Sequence, residues 1–218
     1  MTTFVLVHGA WHGRWAWDRV APLLPHAVAP DLTHDRDVGL RDHVLEVVSA
    51  MDSLDDPDLV LVGHSYAGLV VREAADRRPD RVAHVVLIEG WAGPSGVSLA
   101  DLAPFMDVVR AAADGWRVPP PPPAAYGITD PDDTEWVGRR LRDHPLRTFT
   151  EPTELTGAVD RLPGTAVHCR PEVYPFARLA KDLGYRTVAM DGPHDVPLTD
   201  PRGVAETLWP LRNEKCLL

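Results

Sequence analysis

The sequence has few of the features that mark secreted, membrane-spanning or disulfide-stapled proteins. It contains only two cysteines, Cys169 and Cys216, far apart in the chain, so no disulfide framework or cysteine-based metal site is predicted. No stretch approaches the roughly 18 apolar residues of a membrane span. The N-terminus has neither the basic nor the long apolar region of a signal peptide, so a cytoplasmic protein is expected.

Positive charge is also scarce. The 22 Lys and Arg residues are outnumbered by 32 Asp and Glu residues, which gives a formal net charge of −10. Because an acidic surface repels nucleic acid and anionic membranes, neither is expected as a partner. The expected partner is a small-molecule substrate, with a homodimer as an open alternative. A length of 218 residues suits one domain with a single core.

Short apolar runs alternate along the chain with stretches of helical spacing. The predicted strands are residues 4–7, 26–30, 59–62, 82–88, 165–169 and 185–190. The predicted helices before residue 90 are 14–24, 39–54 and 66–78. This alternation predicts an α/β protein with a six-stranded, mostly parallel sheet flanked by helices. Such sheets bind ligands at the carboxyl ends of their strands.

Residues 91–163 interrupt the alternation. They contain five consecutive prolines, 119–123, which exclude helix and central strand, beside helix-like pieces at 98–113 and 132–143. A long insertion of this kind is typical of a functional lid. We therefore predict a helical cap (residues 91–163) after the fourth strand, on a core of residues 1–90 and 164–218. The predicted lining of an apolar substrate pocket is Trp11, His64, Trp91, Phe105, Trp116 and Trp136.

The strongest motif is the segment Gly63–Gly68, which directly follows a buried strand and opens a helix. A sharp strand–turn–helix holds its central serine, Ser65, above the sheet as a nucleophile, and small neighbours make room for the turn. The usual pattern is G-x-S-x-G, and here Ala67 replaces the second glycine. The backbone N–H groups of Tyr66 and of Ala10, in the loop after the first strand, are the expected oxyanion donors.

A nucleophilic serine needs a base, and the base needs an acid to orient it. His194 follows the last predicted strand and is the expected base. Glu172, after the fifth strand, is the preferred acid, and Glu89, after the fourth strand, is the alternative. His8 and His12 could be read as a metal pair, but no third ligand is near in sequence, so neither a metal nor a cofactor is expected.

The loop His8–Trp17, the segment around Ser65 and the His194 loop together resemble the α/β-hydrolase branch of plant methyl esterases, salicylate-binding esterases and hydroxynitrile lyases. The resemblance implies the α/β-hydrolase fold, with Ser65, Glu172 and His194 as the catalytic triad and a capped pocket for a small, often aromatic, ester. Members that cleave cyanohydrins carry a lysine after the catalytic histidine. Here that position is Asp195, which points to ester hydrolysis.

The expected function is therefore a carboxylesterase-type serine hydrolase that cleaves a small aromatic or apolar ester through an acyl-enzyme. One alternative is a thioesterase or cyclase acting on a polyketide-like intermediate. A composition rich in Arg, Ala, Pro and Asp, typical of GC-rich bacterial genomes, is the only indication of it. Another alternative is a small-molecule receptor on a hydrolase scaffold.

Overall fold

The computed structural model describes residues 2–211 of the chain, so Cys216 lies outside the described residues. Six strands form one parallel sheet in the order β2–β1–β3–β4–β7–β8. These strands are β1 (Thr2–Val7), β2 (Ala27–Val28), β3 (Asp58–His64), β4 (Val82–Ile88), β7 (Gly164–Arg170) and β8 (Arg186–Asp191). The α/β-hydrolase fold and its six-stranded sheet are confirmed.

Helices cover both faces of this sheet. The helices of the core are α1 (Leu40–Asp52), α2 (Ala67–Arg77), α7 (Phe176–Asp182), α8 (Val196–Thr199) and α9 (Pro201–Leu208). Successive residues of a strand point to opposite faces, so Val5 packs with α1 and α2 while Phe4 packs with α9. The central strands are buried on both faces, which explains their continuous apolar runs.

The cap lies between β4 and β7 and contributes no strand to the main sheet. Its elements are α3 (Leu99–Leu102), α4 (Met106–Ala112), β5 (Arg117–Val118), α5 (Pro131–Gly138), β6 (His144–Pro145) and α6 (Leu146–Thr150). The strands β5 and β6 pair with each other as a small antiparallel hairpin. The prolines 119–123 follow β5 without helix until a short 3-10 turn begins at Pro123.

The end of the cap is tied to α2 by buried charges. We call residues 153–160 the return segment. Glu73 and Asp76 are almost fully buried on α2, and their carboxylates accept backbone N–H groups of this segment. Arg72, also buried, forms an ion pair with Asp160. The helix that begins just after Ser65 therefore anchors the return of the chain to the sheet.

Three predicted helices are broken or much shorter than the sequence pattern indicated, and the strand predicted at 26–30 spans only Ala27–Val28. Residues 14–24 form two 3-10 turns, Arg14–Trp17 and Ala21–Leu23, because Pro22 has no N–H to continue a helix. Pro104 likewise separates α3 from α4 within the predicted helix 98–113. The helix predicted at 132–143 ends at Gly138. Within residues 2–211, no helix is long and apolar enough to cross a membrane.

Candidate active site

Ser65 occupies a strained turn between β3 and α2. Its φ is 54°, in the left-handed region that non-glycine residues seldom adopt. The turn is tight, since a Cβ at Gly63 would lie 2.5 Å from the backbone oxygen of Ala67 and one at Gly68 would collide with the backbone of Trp91. Alanine at position 67 fits, with no exposed surface. The tight turn therefore requires glycine at positions 63 and 68, where a side chain would collide with the backbone, and not at position 67.

His194 lies in the loop between β8 and α8, next to the serine. Its Nε2 atom is 2.9 Å from Ser65 Oγ. Its Nδ1 atom is 3.2 Å from Oε2 of Glu89, which is 3% exposed. The ring also stacks on Phe176, whose centroid is 5.8 Å away. The structure thus places serine, imidazole and carboxylate in one line of hydrogen bonds.

The structure brings Glu89, the alternative acid, to His194 and does not bring Glu172, the preferred one, to it. Both nitrogens of His194 are occupied by Ser65 and Glu89, while Glu172 is exposed and caps the following helix by accepting the N–H of Ala177. Glu89 follows β4, which pairs directly with the serine strand β3, whereas β7 is one strand further away. The sequence signal for Glu89 is its position directly after β4, a strand that is buried along its whole length.

The loop after β1, residues 8–13, approaches the serine closely. A Cβ at Gly9 would lie 3.1 Å from Ser65 Cβ and 3.2 Å from Nδ1 of His64, so a larger residue here would press on the serine turn. Within residues 2–211, neither the Ala10 nor the Tyr66 N–H donates a hydrogen bond to another protein atom. Both N–H groups therefore remain without an acceptor in the protein part that the structure describes, as donors to an oxyanion would have to be.

The cap fixes this loop through Trp11, which has a positive φ of 64°. The Trp11 N–H donates to Nδ1 of His144, and its carbonyl accepts the N–H of Arg142. Its indole N–H donates to the carbonyl of Val118. Three hydrogen bonds from the β5–β6 hairpin and its flanking residue therefore hold the strained residue in place.

A cavity of about 370 Å³ opens over Ser65 and His194. The other residues that line it are Trp11, Trp91, Phe105, Val108, Val109, Ala112, Val118, Pro119, Pro120, Pro121, Ala125, Tyr126 and Tyr174. No Asp, Glu, Lys or Arg is among these residues. The cavity is therefore shaped for a neutral and largely apolar molecule.

Three of the six predicted lining residues are in the cavity wall, namely Trp11, Trp91 and Phe105. The other three lie elsewhere. His64 is buried behind the site and donates its Nε2–H to the carbonyl of His194. Trp136 packs on Trp15 with the Arg140 guanidinium over its ring, and Trp116 supplies a backbone oxygen to Leu146.

The sequence did not single out Tyr126, Tyr174 or the prolines 119–121 as lining residues. Tyr174 follows β7, so its place at a strand's carboxyl end was a signal that could have found it. Tyr126 is buried, and the structure gives its hydroxyl no hydrogen-bond partner within residues 2–211. Burial raises the pKa of this hydroxyl well above its usual value, so it stays protonated and can donate.

Most histidines near the site are buried and neutral. Burial, and after it the neighbouring His194, lower the pKa of His64 to about 3. Burial also lowers the pKa of His8 to about 3. The ring nitrogens of both His8 and His12 are engaged by protein groups. Within the described chain, no three side chains form a group that could hold a metal ion.

Comparison with known proteins places this geometry in a family. Residues 4–207 match the model of the alpha/beta hydrolase family. The carbendazim hydrolyzing esterase of Nocardioides sp. (strain SG-4G) is 30% identical, over 95% of this chain and 98% of that protein. Salicylic acid-binding protein 2 of Nicotiana tabacum is 30% identical, over 70% of this chain and 63% of that protein.

A solved structure shares the whole fold. It is an extracellular alpha/beta-hydrolase from a Paenibacillus species, described as homologous in structure and function to tobacco salicylic acid binding protein 2. The TM-score is 0.84 at 21% identity, and 98% of each chain is covered. The resemblance stated from the sequence is confirmed. The chain belongs to the α/β-hydrolase family and is an esterase-type enzyme of the branch that includes the plant methyl esterases.

Proposed function

We propose that this protein is a serine esterase that cleaves a small, neutral, apolar or aromatic ester through an acyl-enzyme. The observation that carries the proposal is the line of hydrogen bonds from Ser65 Oγ through His194 to Glu89. It lies at the base of an apolar cavity, beside two backbone N–H groups that have no partner among the described residues. This is the arrangement that acyl transfer requires.

In the proposed mechanism, His194 Nε2 takes the proton of Ser65 as the hydroxyl oxygen attacks the ester carbonyl. Glu89 accepts the Nδ1–H of His194, which keeps Nε2 free as a base and stabilises the imidazolium that forms. The N–H groups of Ala10 and Tyr66 hold the negative oxygen of the tetrahedral intermediate. His194 then protonates the departing alcohol and activates the water that releases the acid.

Two features support a neutral aromatic ester as the substrate, the first its neutrality and the second its aromatic ring. The absence of Asp, Glu, Lys and Arg from the cavity lining means that a charged substituent would lose its hydration without gaining a partner. One relative is named for carbendazim hydrolysis and another for salicylic acid binding, and both names refer to small aromatic molecules.

The residue after His194 favours ester hydrolysis over cyanohydrin cleavage. This residue is Asp195, whose negative charge would repel a cyanide ion.

The direct test is covalent labelling by a fluorophosphonate, followed by mapping of the modified peptide. We expect the label on Ser65, no label in Ser65→Ala, and loss of several orders of magnitude in kcat for that variant. Ser53→Ala is the matched control, because Ser53 is an exposed serine at the end of α1. Retained hydrolysis in a folded Ser65→Ala protein would overturn the proposal.

The same preparation separates the alternatives. A screen of neutral aryl esters against acyl thioesters tests the chemistry of the leaving group. Faster turnover of thioesters would replace the esterase proposal by a thioesterase. A receptor predicts tight binding of a small molecule by Ser65→Ala and no turnover of any ester by the wild-type protein.

A further inference from the structure

His12 lies beside the proposed site but has no part in the mechanism above. It is 2% exposed, and both of its ring nitrogens face oxygen atoms. Nδ1 is 2.8 Å from the backbone oxygen of Ala10, and Nε2 is 2.9 Å from Oδ2 of Asp195, which is 1% exposed. A side chain buried between two acceptors has few choices of protonation state.

The carbonyl of Ala10 can only accept, so Nδ1 of His12 must carry a proton. The contact at Nε2 then depends on whether the proton between His12 and Asp195 belongs to the imidazole or to the carboxyl group. Burial lowers the pKa of His12, but the charge of Asp195 and the two hydrogen bonds outweigh burial and raise it above its ordinary value. The pKa of Asp195 is lowered, because His12 chiefly, then His64 and His194, outweigh its burial.

The groups packed on the pair are mainly aromatic rings, together with His64, whose Nε2 lies 3.7 Å from Oδ1 of Asp195. The His12 ring is faced by Trp15 and Tyr126, each 5.1 Å away between centroids, and by His64 at 6.2 Å. His64 is held neutral by burial, which lowers its pKa to about 3. An imidazolium at His12 donates to both of its acceptors and balances the charge of Asp195, whose Oδ1 has no hydrogen-bond partner within residues 2–211.

The pair acts on the backbone of Ala10, whose N–H is one of the two expected oxyanion donors. His12 holds the carbonyl of the peptide unit that follows Ala10. The carbonyl of the preceding unit, Gly9, accepts from Nδ1 of His8, and Nε2 of His8 is occupied by the N–H of Leu32. Imidazoles thus hold both peptide units that flank Ala10, and they fix the direction of its N–H.

On its other side the pair is joined to the base. Asp195 directly follows His194, and its own N–H donates to the carbonyl of Tyr126 in the cavity wall. The carbonyl of Asp195 accepts the N–H of Leu198 as α8 begins. One buried ion pair therefore links the loop with the oxyanion donor to the loop with the general base.

We propose that His12 is a positively charged positioning residue, whose ion pair with Asp195 holds the Ala10 N–H and the His194 ring in place around Ser65. The inference rests on the proposed esterase function. The pair holds groups that act in the transition state, so its loss should lower kcat and leave KM nearly unchanged.

The protonation state is tested directly by ¹⁵N NMR of the histidine-labelled wild-type protein at about pH 8, where an exposed histidine is neutral. We expect one histidine with protons on both ring nitrogens, and loss of its signals in His12→Gln. A spectrum in which every histidine is a neutral tautomer at this pH would overturn the inference, because Asp195 would then hold the proton.

Kinetics of an aryl ester test the positioning role. We expect His12→Gln and Asp195→Asn each to lower kcat about 10- to 100-fold with KM within about threefold. The double variant should recover about tenfold over His12→Gln, because it leaves no unpaired buried charge. His84→Gln is the matched control, since His84 is equally buried but lies toward the other end of β4.

The outcomes separate this inference from the proposed function. An active wild-type protein whose folded variants keep their kcat would overturn the positioning role alone. A wild-type protein that neither hydrolyses esters nor takes the fluorophosphonate label would overturn the esterase proposal, while the NMR result would stand. If His12→Gln fails to fold, Asp195→Asn and the wild-type spectrum still decide the matter.

Discussion

Replacement of Glu89 by glutamine distinguishes the two carboxylates that sequence reasoning offered. Glu89 is 3% exposed, and its two oxygens have different partners. Oε1 accepts the Cys169 N–H at 2.6 Å, and Oε2 accepts from Nδ1 of His194 at 3.2 Å. In Glu89→Gln, the backbone N–H of Cys169 selects the amide oxygen, so the amide NH₂ must face His194.

That orientation forces the wrong tautomer on the base. An NH₂ group that donates to Nδ1 of His194 leaves the proton on Nε2, where it faces Ser65 Oγ and cannot accept the serine proton. We expect kcat to fall roughly 10³- to 10⁴-fold, which is about 4–5.5 kcal/mol of transition-state stabilisation. The side chain keeps its volume, so the fold and KM should change little.

The assay is steady-state hydrolysis of a neutral aryl ester, with thermal unfolding as the check on folding. Glu172→Gln is the matched control, because Glu172 is exposed and caps α7 through the N–H of Ala177. Its kcat should stay within about twofold of the wild type. The reasoning is refuted if Glu89→Gln retains more than about a tenth of the activity, or if Glu172→Gln shows the larger loss.

Three further predictions concern stability and the turn at the serine. His8 and His64 are buried with pKa values of about 3, so the unfolded chain binds more protons below about pH 6.5. These two groups should therefore lower the unfolding free energy by about 2 to 2.5 kcal/mol per pH unit between about pH 6 and pH 4, and urea titrations that show no such fall would contradict the neutral state. Asp76→Ala should cost about 2–3 kcal/mol in urea unfolding, with Asp76→Asn intermediate, because two N–H groups of the return segment lose their acceptor. Gly68→Ala should lower kcat at least about tenfold, because the new Cβ would collide with the backbone carbonyl oxygen of Trp91. Ala67→Gly should keep kcat and lose about 1 kcal/mol of stability. Equal kcat values for the two variants would show that the serine turn is not sterically limited.

Much of this enzyme could be predicted because its signals are local. The strand–turn–helix around Ser65 needs only a buried apolar run, two small residues and a helix start, and all three are adjacent in sequence. His194 was found because it follows the last strand, and parallel strands gather their carboxyl ends at one edge of the sheet. The fold class followed from the same alternation of strands and helices.

The sequence by itself therefore indicated the strands, the serine turn and the position of His194, since the signal for each lies within a few neighbouring residues. Only the tertiary structure decided that Glu89, not Glu172, meets His194, because the order of strands in the sheet sets which carboxylate lies nearer. It also decided which aromatic residues line the cavity and that His12 is buried between two acceptors. Glu89 meets His194 across 105 residues and His12 meets Asp195 across 183, and no local pattern in the sequence indicates contacts over such separations.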